Sequence, residues 1–260
     1  MDIPQLTLTR NMAKKNNQSV ENQTTDATQN RNQTTNCLKL KIENLKTFSA
    51  LTDNQKVFFD SYKRGDYFIA LLGSAGTGKS FCALYRAIEE VLDKGNPFST
   101  LVIVRSAVQT RDVGFTPGSL EEKMAIYEEP YNQICSTLFG RKDAYQRLKE
   151  QSHIDFVSTT ALRGCSFDNS IVIFDECQNA SFRELDTVLT RVGHNSKMIF
   201  CGDFSQNDLI KKQNDISGLP DFLRIAEEME EFTKIVFTPD DIVRSSLVKN
   251  WIIAKENLGL

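Results

Sequence analysis

The chain has 260 residues, 40% of them hydrophobic and 25% charged, with a formal net charge of −3 at pH 7. That balance suits one substantial core and excludes a collagen-like or wholly disordered chain, while its mild acidity argues against a dedicated nucleic-acid coat protein without ruling out a basic patch on one face. No stretch approaches the roughly 18 apolar residues of a membrane span, no apolar leader follows Met1, and the six cysteines form no C-x-x-C pair, so a cytoplasmic protein with free structural thiols and no membrane partner is expected.

Residues 11 to 36 are dominated by Asn, Gln and Thr with almost nothing apolar to bury. Residues 1–37 are therefore expected to be a disordered tail and 38–260 the folded domain. Thr52 with Gln55 has capping-box spacing and predicts a helix start. Then come "YFIALL" (67–72), "TLVIVR" (100–105), "IDFVST" (154–159), "IVIF" (171–174), "KMIFCG" (197–202) and "KIVFTP" (234–239). Continuous apolar runs predict strands buried on both faces, and the helical patterns between them predict crossovers. Ser119 with Glu122 and Ser181 with Glu184 supply two further helix starts. The expected fold is α/β, with a mostly parallel sheet flanked by helices on both faces.

The first strand runs into "GSAGTGKS", the G-x-x-x-x-G-K-S pattern in the strand–loop–helix setting that a phosphate loop requires. Gly73, Gly76 and Gly78 let the backbone turn so that the N–H groups of Ser74, Ala75, Thr77 and their neighbours face phosphate oxygens at the positive end of the next helix. Lys79 then reaches the β- and γ-phosphates and Ser80 offers a hydroxyl to Mg²⁺. A glycine turn that merely joins strand to helix explains the glycines but not the lysine and hydroxyl. The fourth strand drives straight into Asp175 and Glu176, and buried carboxylates need a cation or a solvated cleft. With a phosphate loop present, Asp175 is expected to hold Mg²⁺. Glu176, pointing the other way on an extended backbone, is expected to orient an attacking water as general base. Helix capping by the pair is disfavoured because Ser181 already fills that position.

Beyond these motifs, "VRSAVQTRDVGFTPGSLEEKMAIYEEPYNQI", "IDFVSTTALRGCSFDNSIVIFDECQN", "LTRVGHNSKMIFCGDFSQNDL" and "DDIVRSSLVKNWI" resemble, in order and spacing, the blocks of the PhoH family of P-loop ATPases. The resemblance covers about Leu51 to Glu256. It departs at Ser74 and Ser106, where the family has Pro, at Cys177, where it has Ala, and at Ser245-Ser246, where it has His-Pro; these put only local backbone rigidity in doubt. The resemblance implies a RecA-like core that binds ATP and Mg²⁺. It implies that Gln55 reads adenine, or serves only as the capping partner of Thr52. It also implies that Gln206, in "GDFSQND", senses the γ-phosphate or its water, with Asp203 supporting that loop, and that Arg244 stabilises charge on the transferring phosphoryl group, an ordinary surface ion pair being the alternative. Arg105 and Arg163 are left between nucleic-acid phosphates and a neighbouring subunit. The loop around Gly114, Pro117 and Gly118 reads as a subunit or strand contact, or as a connector.

The leading expectation is Mg-dependent ATP hydrolysis coupled to RNA or single-stranded nucleic acid, in a homo-oligomeric ring such as a hexamer, without a PIN nuclease domain. A non-hydrolysing nucleotide switch is the alternative, and a P-loop kinase fits the Asp-Glu pair and the "GDFSQ" block less well.

Overall fold

The computed structural model describes residues 39–106, 120–162, 164, 166–203 and 217–258, with side chains on the third helix from residue 125. The tail at 1–37, Gln206, Arg163, Cys37, Cys165, the 114–118 loop and the Ser119–Glu122 cap lie outside these residues. All elements below belong to the unit that begins at Lys41.

Six strands form one sheet: β1 (Phe68–Gly73), β2 (Thr100–Arg105), β3 (Ile154–Ser158), β4 (Ser170–Asp175), β5 (Lys197–Gly202) and β6 (Phe232–Phe237). Their order is β3-β2-β4-β5-β1-β6 and every pairing is parallel. All six apolar runs are therefore strands, as the sequence implies. The four inner ones are buried almost throughout, whereas the edge strands β3 and β6, each with a neighbouring strand on one side only, are buried in part. "KIVFTP" runs two residues past the end of β6, because Thr238 caps and Pro239 opens a 3-10 turn over Pro239–Asp241.

The helices are α1 (Asp53–Arg64), α2 (Lys79–Leu92), α3 (Leu120–Phe139), α4 (Ala144–Glu150), α5 (Phe182–Leu189), α6 (Leu219–Ala226) and α7 (Ser246–Asn257). On one face of the sheet Ala70, Val104, Val172, Phe174 and Phe200 pack against Leu185 and Val188 of α5 and Phe222 and Leu223 of α6. The alternate residues Ile69, Leu71, Ile103, Ile173 and Ile199, all with no exposed surface, face the side on which α2 crosses β2, β4 and β5. Burying about 25 cal/mol per Å² of apolar surface on both faces is what fixes the strand ends in space. Since all strands are parallel, the residues after β1, β4 and β5 emerge along one edge, and the candidate chemistry collects there. Among the described residues no helix is long and apolar enough to cross a membrane.

Candidate functional site

β1 ends at Gly73, whose φ of +117° and close approach to β6 exclude any side chain: a Cβ would lie 1.9 Å from the Phe237 carbonyl oxygen. Ser74 N–H donates to that same oxygen at 3.2 Å, a bond that a proline here would forfeit. The loop turns twice more through left-handed glycines, and Gly78 (φ +82°) leads directly into α2. Lys79, 9% exposed, folds back so that its Nζ donates to the carbonyls of Gly73 and Ser74, each at 2.7 Å, and to Thr77 Oγ1 at 3.4 Å. Burial lowers the Lys79 pKa, while Asp203, Cys201, Glu176 and Asp175 pull it back up. Among the described residues it makes no ion pair: its direct partners are carbonyl and hydroxyl dipoles, and the three carboxylates act on it from longer range.

Ser80, one residue on, donates from Oγ to Asp175 Oδ1 at 2.7 Å. The loop after β1 and the end of β4 thus meet across β5. Asp175 is 6% exposed, and its Oδ2 accepts the hydroxyl of Tyr131 from α3 at 2.9 Å. Burial first, and Asp175 next, push the Tyr131 hydroxyl well above its ordinary pKa, which keeps it a donor.

Glu176 departs from the expected extended conformation. β4 stops at Asp175, and Glu176 takes φ +54° and ψ +41°, the left-handed region, before a short 3-10 turn over Cys177–Asn179. The reversal, rather than strand alternation, separates the two carboxylates, and for a non-glycine residue it costs on the order of 1–3 kcal/mol. Gln178, 2% exposed, holds the turn: its Nε2 donates to Glu176 Oε2 at 2.6 Å, and its Oε1 accepts the Asp203 N–H at 3.0 Å. Burial and then the Asp175 charge raise the Glu176 pKa, against which the Gln178 bond and the charges of Arg105 and Lys79 act.

These groups open onto a cavity of about 800 Å³, lined by Gly76 to Ser80, Asp175, Glu176, Asp203, Gln55 and Arg244. Arg244 belongs to the same chain as the phosphate loop it faces. Val243 N–H donates to Gly76 O at 3.1 Å, and a Cβ on Gly76 would come within 2.9 Å of Arg244 Cγ. Gln55 is neither free nor the reciprocal capping partner of Thr52. Thr52 Oγ1 accepts the Gln55 N–H at 3.4 Å, but the Gln55 amide donates to Thr77 O at 2.9 Å and accepts from Leu51 N at 2.8 Å. Burial at 3% exposure makes those two bonds more valuable than a solvated cap. Arg105, in register with Asp175 across β2 and β4, lies over the Tyr127 ring at 5.6 Å and acts electrostatically on Glu176.

Hard oxygen donors at Ser80 and Asp175, 2.7 Å apart, fit a magnesium ion that takes its remaining ligands from phosphates and water. Among the described residues no group of three or more His, Cys, Asp or Glu side chains is placed to hold a metal ion. Tyr131, Tyr127 and Gln178 have no role in the sequence reading. The tyrosines carry a signal, i and i+4 on one helix face. Ser106 Oγ donates to Glu184 Oε1 at 2.8 Å, so this departure from the family also adds a bond rather than only loosening the backbone. Cys177 and Cys201, both fully buried beside the site, have thiol pKa values raised by burial, and Cys82 and Cys135 are pushed up to about 12, so all four are inert thiols.

The pattern of the family described as PhoH-like protein matches residues 47–256. A PhoH-like protein of Bacillus subtilis (strain 168) is 33% identical over 214 residues, covering 80% of this chain and 64% of its own length. Protein PhoH of Escherichia coli (strain K12) is 33% identical over 184 residues, covering 70% of this chain and 51% of its own. The chain therefore spans between about half and two thirds of these relatives. Among solved structures, the Pif1 helicase from Candida albicans aligns with 82% of this chain and 44% of its own, at 17% identity and a TM-score of 0.40.

Proposed function

Since the chain belongs to the PhoH-like protein family, we propose that it is a Mg-dependent P-loop ATPase whose hydrolysis is coupled to RNA or single-stranded nucleic acid. The observation that carries the reading is the 2.7 Å contact between Ser80 Oγ and Asp175 Oδ1, beside a buried lysine that bonds to carbonyls and makes no ion pair among the described residues. A triphosphate supplies the anion. Lys79 and the loop N–H groups would hold its β- and γ-oxygens, in a cavity that Glu176 and Asp203 also line. Mg²⁺, held by Ser80 and Asp175, supplies charge neutralisation on the phosphates when bound. Glu176, with a raised pKa and a backbone turned to face the cavity, accepts the proton of the attacking water. Arg244 stands in cis at Gly76, where a guanidinium stabilises charge on the transferring group.

Hydrolysis rather than switching is favoured by the Glu176–Gln178 bond, because a protein that only binds nucleotide has no use for a strained carboxylate held at a fixed angle. The Gln55 amide, engaged at Leu51 and Thr77, ties the base side of the cavity to the loop, and adenine reading requires it to exchange one of those bonds. Nucleic-acid coupling and assembly into a ring rest on the family likeness, with Arg105, Arg163 and the 114–118 loop as residues to probe, while Gln206 is the residue to probe as sensor of the γ-phosphate or its water.

Calorimetry with Mg-ATP, followed by turnover of Glu176→Gln, tests the core of the reading. Retained uptake with turnover lowered about 10²- to 10⁴-fold is expected, in the range for loss of a general base; no uptake by the wild type, or unchanged turnover in the variant, overturns it. Turnover measured with single-stranded RNA, single-stranded DNA and duplexes across a salt series tests the coupling, since phosphate contacts weaken steeply with salt.

A further inference from the structure

Tyr131 belongs to α3, about 50 residues beyond the phosphate loop in sequence, yet its hydroxyl is spent on Asp175. The side chain has no exposed surface, its ring packs 5.7 Å from Phe156 of β3, and its OH donates to Asp175 Oδ2 at 2.9 Å. The other oxygen, Oδ1, is already taken by Ser80 Oγ at 2.7 Å. A carboxylate with one hydroxyl on each oxygen has a single orientation about its terminal bond, and a phenol facing it can only donate. The Ser80 oxygen keeps its lone pairs, so fixing the carboxylate also fixes where the serine presents them. Without the phenol, a buried oxygen would lose a charge-assisted bond and the group would swing.

We propose that Tyr131 is a positioning residue for the cation: its hydroxyl locks the Asp175 carboxylate, and through it the Ser80 hydroxyl, in the orientation that holds Mg²⁺ on a bound triphosphate. The role rests on the ATPase reading above and adds to it a group outside the phosphate loop and the acid pair. One consequence is a specific kinetic signature. Tyr131 touches neither the water nor the phosphates, so its loss changes the Mg²⁺ requirement and leaves the chemical step nearly intact once the metal saturates.

The test is Tyr131→Phe, which removes one oxygen and keeps the ring. The Mg²⁺ concentration for half-maximal turnover should rise about tenfold, the size expected for losing a hydrogen bond to a charged group. Turnover at saturating Mg²⁺ should stay within about threefold, and calorimetric binding of ATP in EDTA should be unchanged while binding in Mg²⁺ weakens. Should Tyr131→Phe fail to fold, Phe156→Leu loosens the same ring from outside the site and is expected to raise the Mg²⁺ requirement about threefold by letting the hydroxyl wander. An unshifted Mg²⁺ requirement in a folded variant overturns the role. So does a loss of turnover that saturating Mg²⁺ does not restore, since that marks a general structural defect. A wild type whose nucleotide uptake ignores Mg²⁺ refutes the ATPase reading itself, which separates the two failures.

Discussion

Two buried lysines stand at opposite ends of the sheet, and their surroundings differ in one respect. Lys79, after β1, is 9% exposed and donates to carbonyls of Gly73 and Ser74; Lys197, at the start of β5, is 6% exposed and donates to both oxygens of Glu90 at 2.9 and 2.8 Å. Lys197 also sits over the rings of Tyr62 and Phe98, at 4.1 and 5.0 Å. Its charge is fully compensated within the chain: a carboxylate on one side and aromatic faces on the other. At Lys79 the carboxylates of Asp203, Glu176 and Asp175 act only from a distance, and the ammonium is left with dipoles. A fold that supplies the counterion makes a strut; one that withholds it makes a binding site.

The contrast breaks most sharply at Lys79. Lys79→Met should lower Mg-ATP turnover at least 100-fold, as removal of a preorganised transition-state donor does, and weaken nucleotide binding, yet leave the melting temperature equal or higher because an uncompensated buried charge has gone. Steady-state kinetics beside differential scanning calorimetry measure both. If the variant melts several degrees lower, Lys79 is a strut like Lys197 and the distinction fails.

Lys197→Met asks the reverse. It strands Glu90, whose side chain keeps 22% exposure, so the cost falls below the range for a fully buried broken pair, at about 2 kcal/mol. A drop of about 5 °C in Tm with ATP affinity unchanged is expected. Adding Glu90→Gln should recover part of that loss, because the stranded charge disappears with it. Impaired nucleotide binding in the single variant would show that the two ends of the sheet are coupled.

Of these two lysines only Lys79 is legible in the sequence, because its neighbours are consecutive: glycines at 73, 76 and 78 and a hydroxyl at 80 define a local geometry. Lys197 opens an apolar run and reads as a strand end, since Glu90, Tyr62 and Phe98 come from separate parts of the chain. The same rule sorts the acid pair. Asp175 is legible from the apolar strand before it, and the six strands from their apolar runs, but the left-handed turn at Glu176 is not, because it is imposed by Gln178 reaching to Asp203 after β5. Tyr131 belongs with the illegible group: an i, i+4 tyrosine pair on a helix says nothing about which carboxylate lies opposite. Gln55 shows a legible motif with a different use. The capping spacing is there, but burial against Thr77 outbids the reciprocal cap.

The smallest effect concerns Glu176, whose pKa is raised, and it extends the counterion argument to an anion. Burial is the main cause and Asp175 the second, so the folded protein holds a proton on Glu176 more tightly than the unfolded chain does. The stability this contributes is complete below the ordinary glutamate range and is lost as pH rises through the raised value; near neutrality the ionised group is a burden on the fold. Glu176→Gln removes that burden and should melt slightly higher than the wild type at pH 7, with the difference vanishing as the pH falls below the ordinary glutamate value. Glutamine keeps the same left-handed backbone, so strain at φ +54° cancels in the comparison. Glu176→Asn, which tolerates that conformation better, adds a gain that does not depend on pH. If the Gln variant's advantage also persisted unchanged at low pH, the burden would lie in packing or backbone and not in charge, and the anion would no longer mirror Lys79.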